Sequence, residues 1–123
     1  MIYSRRYRFG NTIHAEQANV DAGSGKTPVR TRQVGNYPPN AFGLHDMHGN
    51  LWEWTEDCWY ESYAGAPSDA GVWKAGNCSR RVLRGGSWIS DGRDARSANR
   101  YKFKALNSMH EHFGFRVVRS LQQ

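Results

Sequence analysis

The segment NLWEWTEDCWY, residues 50–60, alternates large apolar and polar side chains, which is the period-two signature of a half-buried strand. The same alternation returns in RRVLRGGSW, residues 80–88, and in FGFRVVRS, residues 113–120. What lies between them is turn chemistry. DAGSGKTPVR and GNYPPNAFG are rich in Gly, Pro and Asn and carry no sustained apolar period. DARSANRYKF, residues 94–103, reads as either a strand or an irregular connection, and KALNSMHEHF, residues 104–113, as an exposed loop. Thirteen Gly and five Trp in 123 residues therefore predict one domain of short strands set in long structured loops and pinned by aromatic anchors. Trp52, Trp54, Trp88 and Arg116 are expected in its core.

Composition narrows the function classes. The mean hydropathy of −0.80 leaves no segment fit to span a membrane. MIYSRRYRFGN lacks the apolar run of a secretory signal, which points inward, whereas a disulfide would point outward, so sequence leaves the compartment open. The net charge is +6, and Arg80 to Arg119 carry most of the excess against Asp91, Asp94 and Glu111. No lysine stripe, recognition helix or RNA-binding aromatic motif accompanies that charge, which argues against nucleic acid. Arg84, Arg96, Arg100 and Arg116 beside Gly, Ser and aromatic residues suit guanidinium groups that fork to backbone carbonyls. The run Gly23-Ser24-Gly25-Lys26-Thr27 reads as a loop and not as a phosphate-binding turn, because Pro28 follows where a helix would open.

Cys58 and Cys78 are the two cysteines. As a disulfide they would close a loop of about twenty residues and contribute about 3 kcal/mol. As free thiols they would be ordinary reduced cysteines. Neither has a His or cation beside it in sequence to activate a thiolate. In GLHDMHGNLWEW, Asp46 and Glu53 flank a tight turn whose carbonyls could complete a hard oxygen set for Ca²⁺. His45 and His48 without a third ligand are weak zinc candidates and read as surface polarity.

PPNAFGLHDMHGNLWEWTED, RVLRGGSW, RSANR and GFRVVRS resemble, in order and spacing, the formylglycine-generating enzyme (sulfatase-modifying factor) family. The resemblance runs from about Tyr7 to Ser120. It implies an α+β, loop-rich fold with short antiparallel strands, C-type lectin-like in its formylglycine-generating-enzyme subtype. It also implies a single domain over 1–123 with a reduced N-terminus. Carried over residue by residue, a structural calcium would be held by the side chains of Asp46 and Glu53 and the carbonyls of Gly49 and Leu51. Enzymes that resemble this chain carry two copper-binding cysteines after the GGS-aromatic motif. Ser90 stands at the first of those positions, and a hydroxyl does not replace a thiolate on Cu(I). Hence no copper is expected and catalytic residues are expected to be missing.

A second branch of that fold, the variable proteins of diversity-generating retroelements, resembles the chain through RGGSW, RSA and GFRVVRS. That resemblance implies a non-catalytic protein displaying a diversified surface of Ile89, Ser90, Asp91, Asp94, Asn99, Tyr101, Phe103, Ser108, His110 and His112. Its mixture of apolar, aromatic, acidic and imidazole groups suits a protein or other macromolecular ligand, and leaves self-association open. The alternative is an oxidoreductase of the formylglycine-generating type acting on a substrate cysteine.

Overall fold

The structure, a computed structural model, describes residues 5–23, 25, 28, 30–106 and 109–121. Its sheet grows from the alternating segments. β1 spans Trp52–Cys58 and β2 spans Arg80–Arg84. They pair antiparallel, with Glu53 opposite Arg84 and Trp54 opposite Leu83, and an irregularity between Trp54 and Cys58 shifts the register. β3, Tyr101–Lys104, continues the sheet antiparallel to β2, and β4, Phe113–Gly114, adds a parallel edge beside β1. The order across the sheet is β3-β2-β1-β4. Val82 and Leu83 are both buried although they are adjacent, so the central strand is covered on both faces.

No α-helix occurs among the described residues; a 3₁₀ turn at Gly92–Ala95 is the only helical element. The expected α+β lectin-like class is therefore corrected to an essentially all-β sheet. The physical reason is local: Gly- and Pro-rich segments supply turns and carry no 3.6-residue apolar stripe to bury. FGFRVVRS is corrected too, because the strand ends at Gly114. Beyond it Phe115, Val117 and Val118 are 75%, 86% and 92% exposed.

The loops are fixed by side chains instead of ladders. Asn50 donates its backbone N–H to the Asn19 carbonyl at 2.9 Å, while its Oδ1 accepts from Asn19 Nδ2 at 3.0 Å and from the Arg32 N–H at 2.8 Å. Gly49, at φ 85°, makes that closeness feasible: a Cβ there would lie 2.6 Å from both the Asn19 carbonyl oxygen and Val20 Cγ1. Tyr7, Ala18, Val20 and Ala95 form a buried cluster, and the Tyr7 hydroxyl donates to the Gly92 carbonyl at 2.7 Å.

Candidate functional site

Cys58 ends β1 and Cys78 precedes β2, so the antiparallel pairing of those strands brings the two together. They are bonded, with Cα atoms 4.8 Å apart, which settles the alternative that sequence left open. The two sulfurs sit in unlike surroundings. Cys58 is fully buried, and its N–H donates to the Trp73 carbonyl at 2.9 Å. Cys78 is half-buried, and its Sγ lies 3.8 Å from the Lys74 carbonyl oxygen. Cys58 stands opposite Arg81, which stands opposite Phe103. One row across the sheet thus joins the buried cysteine, a cation and an aromatic ring of β3. For Cys58 that cation comes from the partner strand.

The turn after β2 turns Ser90 inward. Its Oγ accepts the Ser87 N–H at 3.0 Å and shares a hydrogen bond with Ser87 Oγ at 3.1 Å. Ser90 closes a buried turn and offers nothing to a ligand. Asp91 caps the 3₁₀ turn through the Arg93 N–H at 2.8 Å; that N–H and the Arg93 guanidinium hold its carboxyl below the usual range. Asp94 is exposed, and its carbonyl accepts from Asn99 Nδ2 at 2.9 Å. Ile89 is open to solvent. Ser108 lies outside the described residues.

The remaining candidates form an aromatic group. Tyr101 lies 5.3 Å from the Trp52 ring, and Phe103 packs edge-on to Phe113 at 5.3 Å and His110 at 4.9 Å. His112 joins through His110 and Phe113, and burial with the neighbouring His110 lowers its pKa. Trp52 is buried as expected, while Trp54 and Trp88 are half-buried.

Asp46, Gly49, Leu51 and Glu53 line one cavity of about 440 Å³. Arg116 enters it. The guanidinium donates to both Glu53 carboxylate oxygens at 2.5 Å and to the His45 carbonyl at 2.9 Å, an environment that raises its own pKa. Asp46 Oδ2 accepts the Gly35 N–H at 2.8 Å. The donor set fits a calcium ion only in part: one Asp46 carboxylate oxygen has no partner among the described residues, but the Gly49 carbonyl already accepts the Leu51 N–H at 3.0 Å and Glu53 is neutralised by Arg116. No group of three His, Cys, Asp or Glu with metal-ligand spacing occurs among the described residues. His45 Nδ1 meets the Tyr37 carbonyl at 2.8 Å. His48, expected at the surface, is buried between the Ala95 carbonyl at 2.6 Å and the Arg8 N–H at 3.1 Å.

Arg84, Arg96 and Arg116 do fork to carbonyls. Arg100 instead lies between the rings of Trp59 at 4.5 Å and Tyr63 at 4.3 Å. Sequence reasoning missed Arg8. It reaches the Pro38 carbonyl at 2.7 Å from a segment with no periodic signal.

Against known proteins, the model of the sulfatase-modifying factor enzyme 1-like domain matches residues 2–121. The serine/threonine-protein kinase pkn1 of Chlamydia caviae is 38% identical over 129 residues, covering 95% of this chain and 18% of that protein. The chain thus spans about a fifth of that curated relative. The solved structure of PvdO from Pseudomonas aeruginosa superimposes with a TM-score of 0.74 at 40% identity, over 83% of this chain and 38% of PvdO. Treponema denticola variable protein 1 gives 0.68 at 30% identity, over 82% of this chain and 35% of that one.

These findings correct several expectations. The variable-protein likeness is weaker than the likeness to PvdO, so assignment to the retroelement branch falls, and no lectin-like fold is indicated. Calcium binding as a defining property is likewise without support. The expectation of a non-catalytic display scaffold without catalytic cysteines also falls, because the chain matches an enzyme-family model over residues 2–121 and holds a cysteine pair, bonded as Cys58–Cys78. The chain belongs to the sulfatase-modifying factor enzyme 1-like domain family.

Proposed function

We propose that this domain is an oxidoreductase that acts on a cysteine of a protein substrate through the Cys58–Cys78 pair. The observation that carries the reading is the asymmetry of that bond within an enzyme-family fold: one sulfur is buried and the other half-buried. A substrate thiolate attacks Cys78 Sγ, the Cys58–Cys78 bond breaks, and its electron pair leaves on Cys58 Sγ. Arg81 stands opposite Cys58 in the strand register and donates to the Glu56 carbonyl, so a cation borders this end of β1. A second substrate thiol then attacks the mixed disulfide, releasing Cys78. The substrate dithiol becomes a disulfide, and the protein pair takes up two electrons and two protons. While the sulfurs are bonded they offer no thiolate to copper, and the step is complete without it.

Tyr101, Phe103, His110 and His112 are the surface on which the substrate chain lies, since Phe103 shares the row of Cys58 and Arg81. Trapping tests the assignment. In Cys58→Ser, a cysteine peptide presented as its activated mixed disulfide should be retained on Cys78 and be released by added thiol. In Cys78→Ser the buried Cys58 should retain far less. Equal capture by both variants would remove the asymmetry on which the reading rests.

For the Asp46 cavity we propose calcium as a competing ligand. It enters only when Arg116 leaves Glu53, an idea supported by four oxygen-bearing residues lining one space.

A further inference from the structure

A second cavity, of about 340 Å³, opens between the N-terminal loop and the turn after β2. Arg8, Arg84 and Arg96 line it with His48, Asn40 and Ser97. No carboxylate lines it among the described residues. The ion pairs among the described residues engage Lys74, Arg93, Lys102 and Arg116 and none of these three arginines. Three arginines thus border one space with no carboxylate among its described lining residues, an arrangement that favours positive potential there.

Each is also held in place. Arg8 Nη2 donates to the Pro38 carbonyl at 2.7 Å, and its guanidinium lies 4.4 Å from the Phe9 ring centre. Arg84 donates from Nη1 to the Asn99 and Ser97 carbonyls at 2.9 and 3.2 Å and from Nη2 to the Tyr63 hydroxyl at 3.2 Å, and Arg96 Nε donates to the Arg93 carbonyl at 2.8 Å. These anchors use some of the five N–H donors of each fork and leave others free. Fixing the forks beforehand reduces the ordering cost of taking up a ligand. Asn40 adds to the donors, because its Oδ1 already accepts the Phe42 and Leu44 N–H groups, leaving its amide NH₂ without a partner among the described residues. His48 contributes shape and not charge: both ring nitrogens are engaged, with Ala95 and Arg8.

We propose that Arg8, Arg84 and Arg96 form a binding site for a tetrahedral oxyanion of the phosphate class. Three forks approaching from different sides are met more fully by the three or four tetrahedral oxygens of a phosphate than by the two coplanar oxygens of a carboxylate. The anion is either free phosphate or a phosphate monoester carried on a side chain, and both present the same oxygens. The site is separate from the cysteine pair and stands whether or not that pair is redox-active.

Calorimetric titration of the full chain with inorganic phosphate and with O-phosphoserine, at constant ionic strength, tests this. Saturable one-site binding is expected, weakened about tenfold or more by Arg8→Gln and by Arg96→Gln. Arg30→Gln, which removes a cation from a different cavity, should leave it unchanged. Tighter binding of O-phosphoserine would identify a side-chain monoester, and equal or tighter binding of inorganic phosphate the free ion. Should the variants fail to fold, phenylglyoxal labelling of the native chain replaces them: phosphate should shield Arg8 and Arg96 and leave Arg30 reactive. Absence of saturable binding for both anions up to about 10 mM, or equal losses in Arg30→Gln, would overturn the proposal. Uniform shielding of all three arginines would do the same.

Discussion

Arg116 grips Glu53 with two hydrogen bonds of 2.5 Å inside a cavity also lined by Asp46, Gly49 and Leu51. The chain thereby supplies its own counter-cation to the start of β1. The pair ties the segment after β4 to the first strand. It replaces ladder hydrogen bonds that residues 115–121 do not make.

Calcium and Arg116 compete for one carboxylate. If calcium binds the folded chain, its addition raises the melting temperature and chelation lowers it. Arg116→Gln should be less stable without calcium, by about 1 kcal/mol after allowance for the screening of a partly exposed pair, and so melt lower. That variant should gain more from calcium than the native chain does. Melts of both proteins that ignore millimolar calcium would remove the ion from this cavity.

Gly49 is predicted to be intolerant of any side chain. Gly49→Ala places a methyl 2.6 Å from the Asn19 carbonyl oxygen and Val20 Cγ1 while φ is 85°. A loss of about 2–4 kcal/mol in denaturant unfolding is expected. Gly43→Ala, also at positive φ but with nothing within 4 Å of the added Cβ, should lose only about 1 kcal/mol. Equal losses would show that close packing at Gly49 is not the constraint.

His48 makes stability depend on pH. Burial lowers its pKa, and the positive charge of Arg8 pushes the same way, while the hydrogen bond to the Ala95 carbonyl opposes both; the Tyr7 and Phe9 rings pack on the imidazole. In the unfolded chain the ring takes up a proton near pH 6.5, whereas the folded ring does so only at lower pH. The unfolded state therefore binds more protons in that window, and stability falls as pH drops through about 6.5 toward the folded pKa. Unfolding free energies measured from pH 7.5 down to 5 should show this slope, flattened in His48→Gln. A slope unchanged in that variant would assign it to other groups.

With the substrate chain on Tyr101 and Phe103, as proposed, substitutions there are expected to separate recognition from chemistry. Tyr101 is 42% exposed and stacks on buried Trp52, so Tyr101→Ala should cost about 0.5–1.5 kcal/mol of stability. In thiol oxidation assays, Tyr101→Ala and Phe103→Ala should raise KM for a protein substrate and leave the reaction with a small dithiol nearly unchanged. Equal effects on both substrates would place these rings outside the recognition surface.

Period-two alternation made β1 and β2 legible, because a strand with one buried face writes its geometry directly into side-chain order. It failed after Gly114. FRVVRS carries a strand-like pattern, but no neighbouring strand lies beside it to complete a ladder. The Cys58–Cys78 bond was one of two readings, and strand pairing decided between them. Ser90 shows the opposite limit. In sequence it sits among loop residues fit for display, yet its hydroxyl closes a buried turn with Ser87. Arg8 and Arg96 meet in one cavity although 88 positions separate them (96 − 8), and no local pattern encodes such a meeting. Reading catalysis from the residue after the GGS-aromatic motif misdirected the functional expectation, since the cysteine pair is assembled elsewhere by the β1–β2 pairing.

The central claim is that the Cys58–Cys78 pair exchanges electrons with substrate thiols in the folded chain. Its most direct test mixes the oxidised native protein with a dithiol peptide under nitrogen. Substrate disulfide and free protein thiols are then counted by alkylation and mass spectrometry. One peptide disulfide formed per chain is expected, matched by thiols at Cys58 and Cys78, with the fold retained. A pair that stays oxidised in excess substrate until the chain unfolds would make it a structural cross-link and contradict the account.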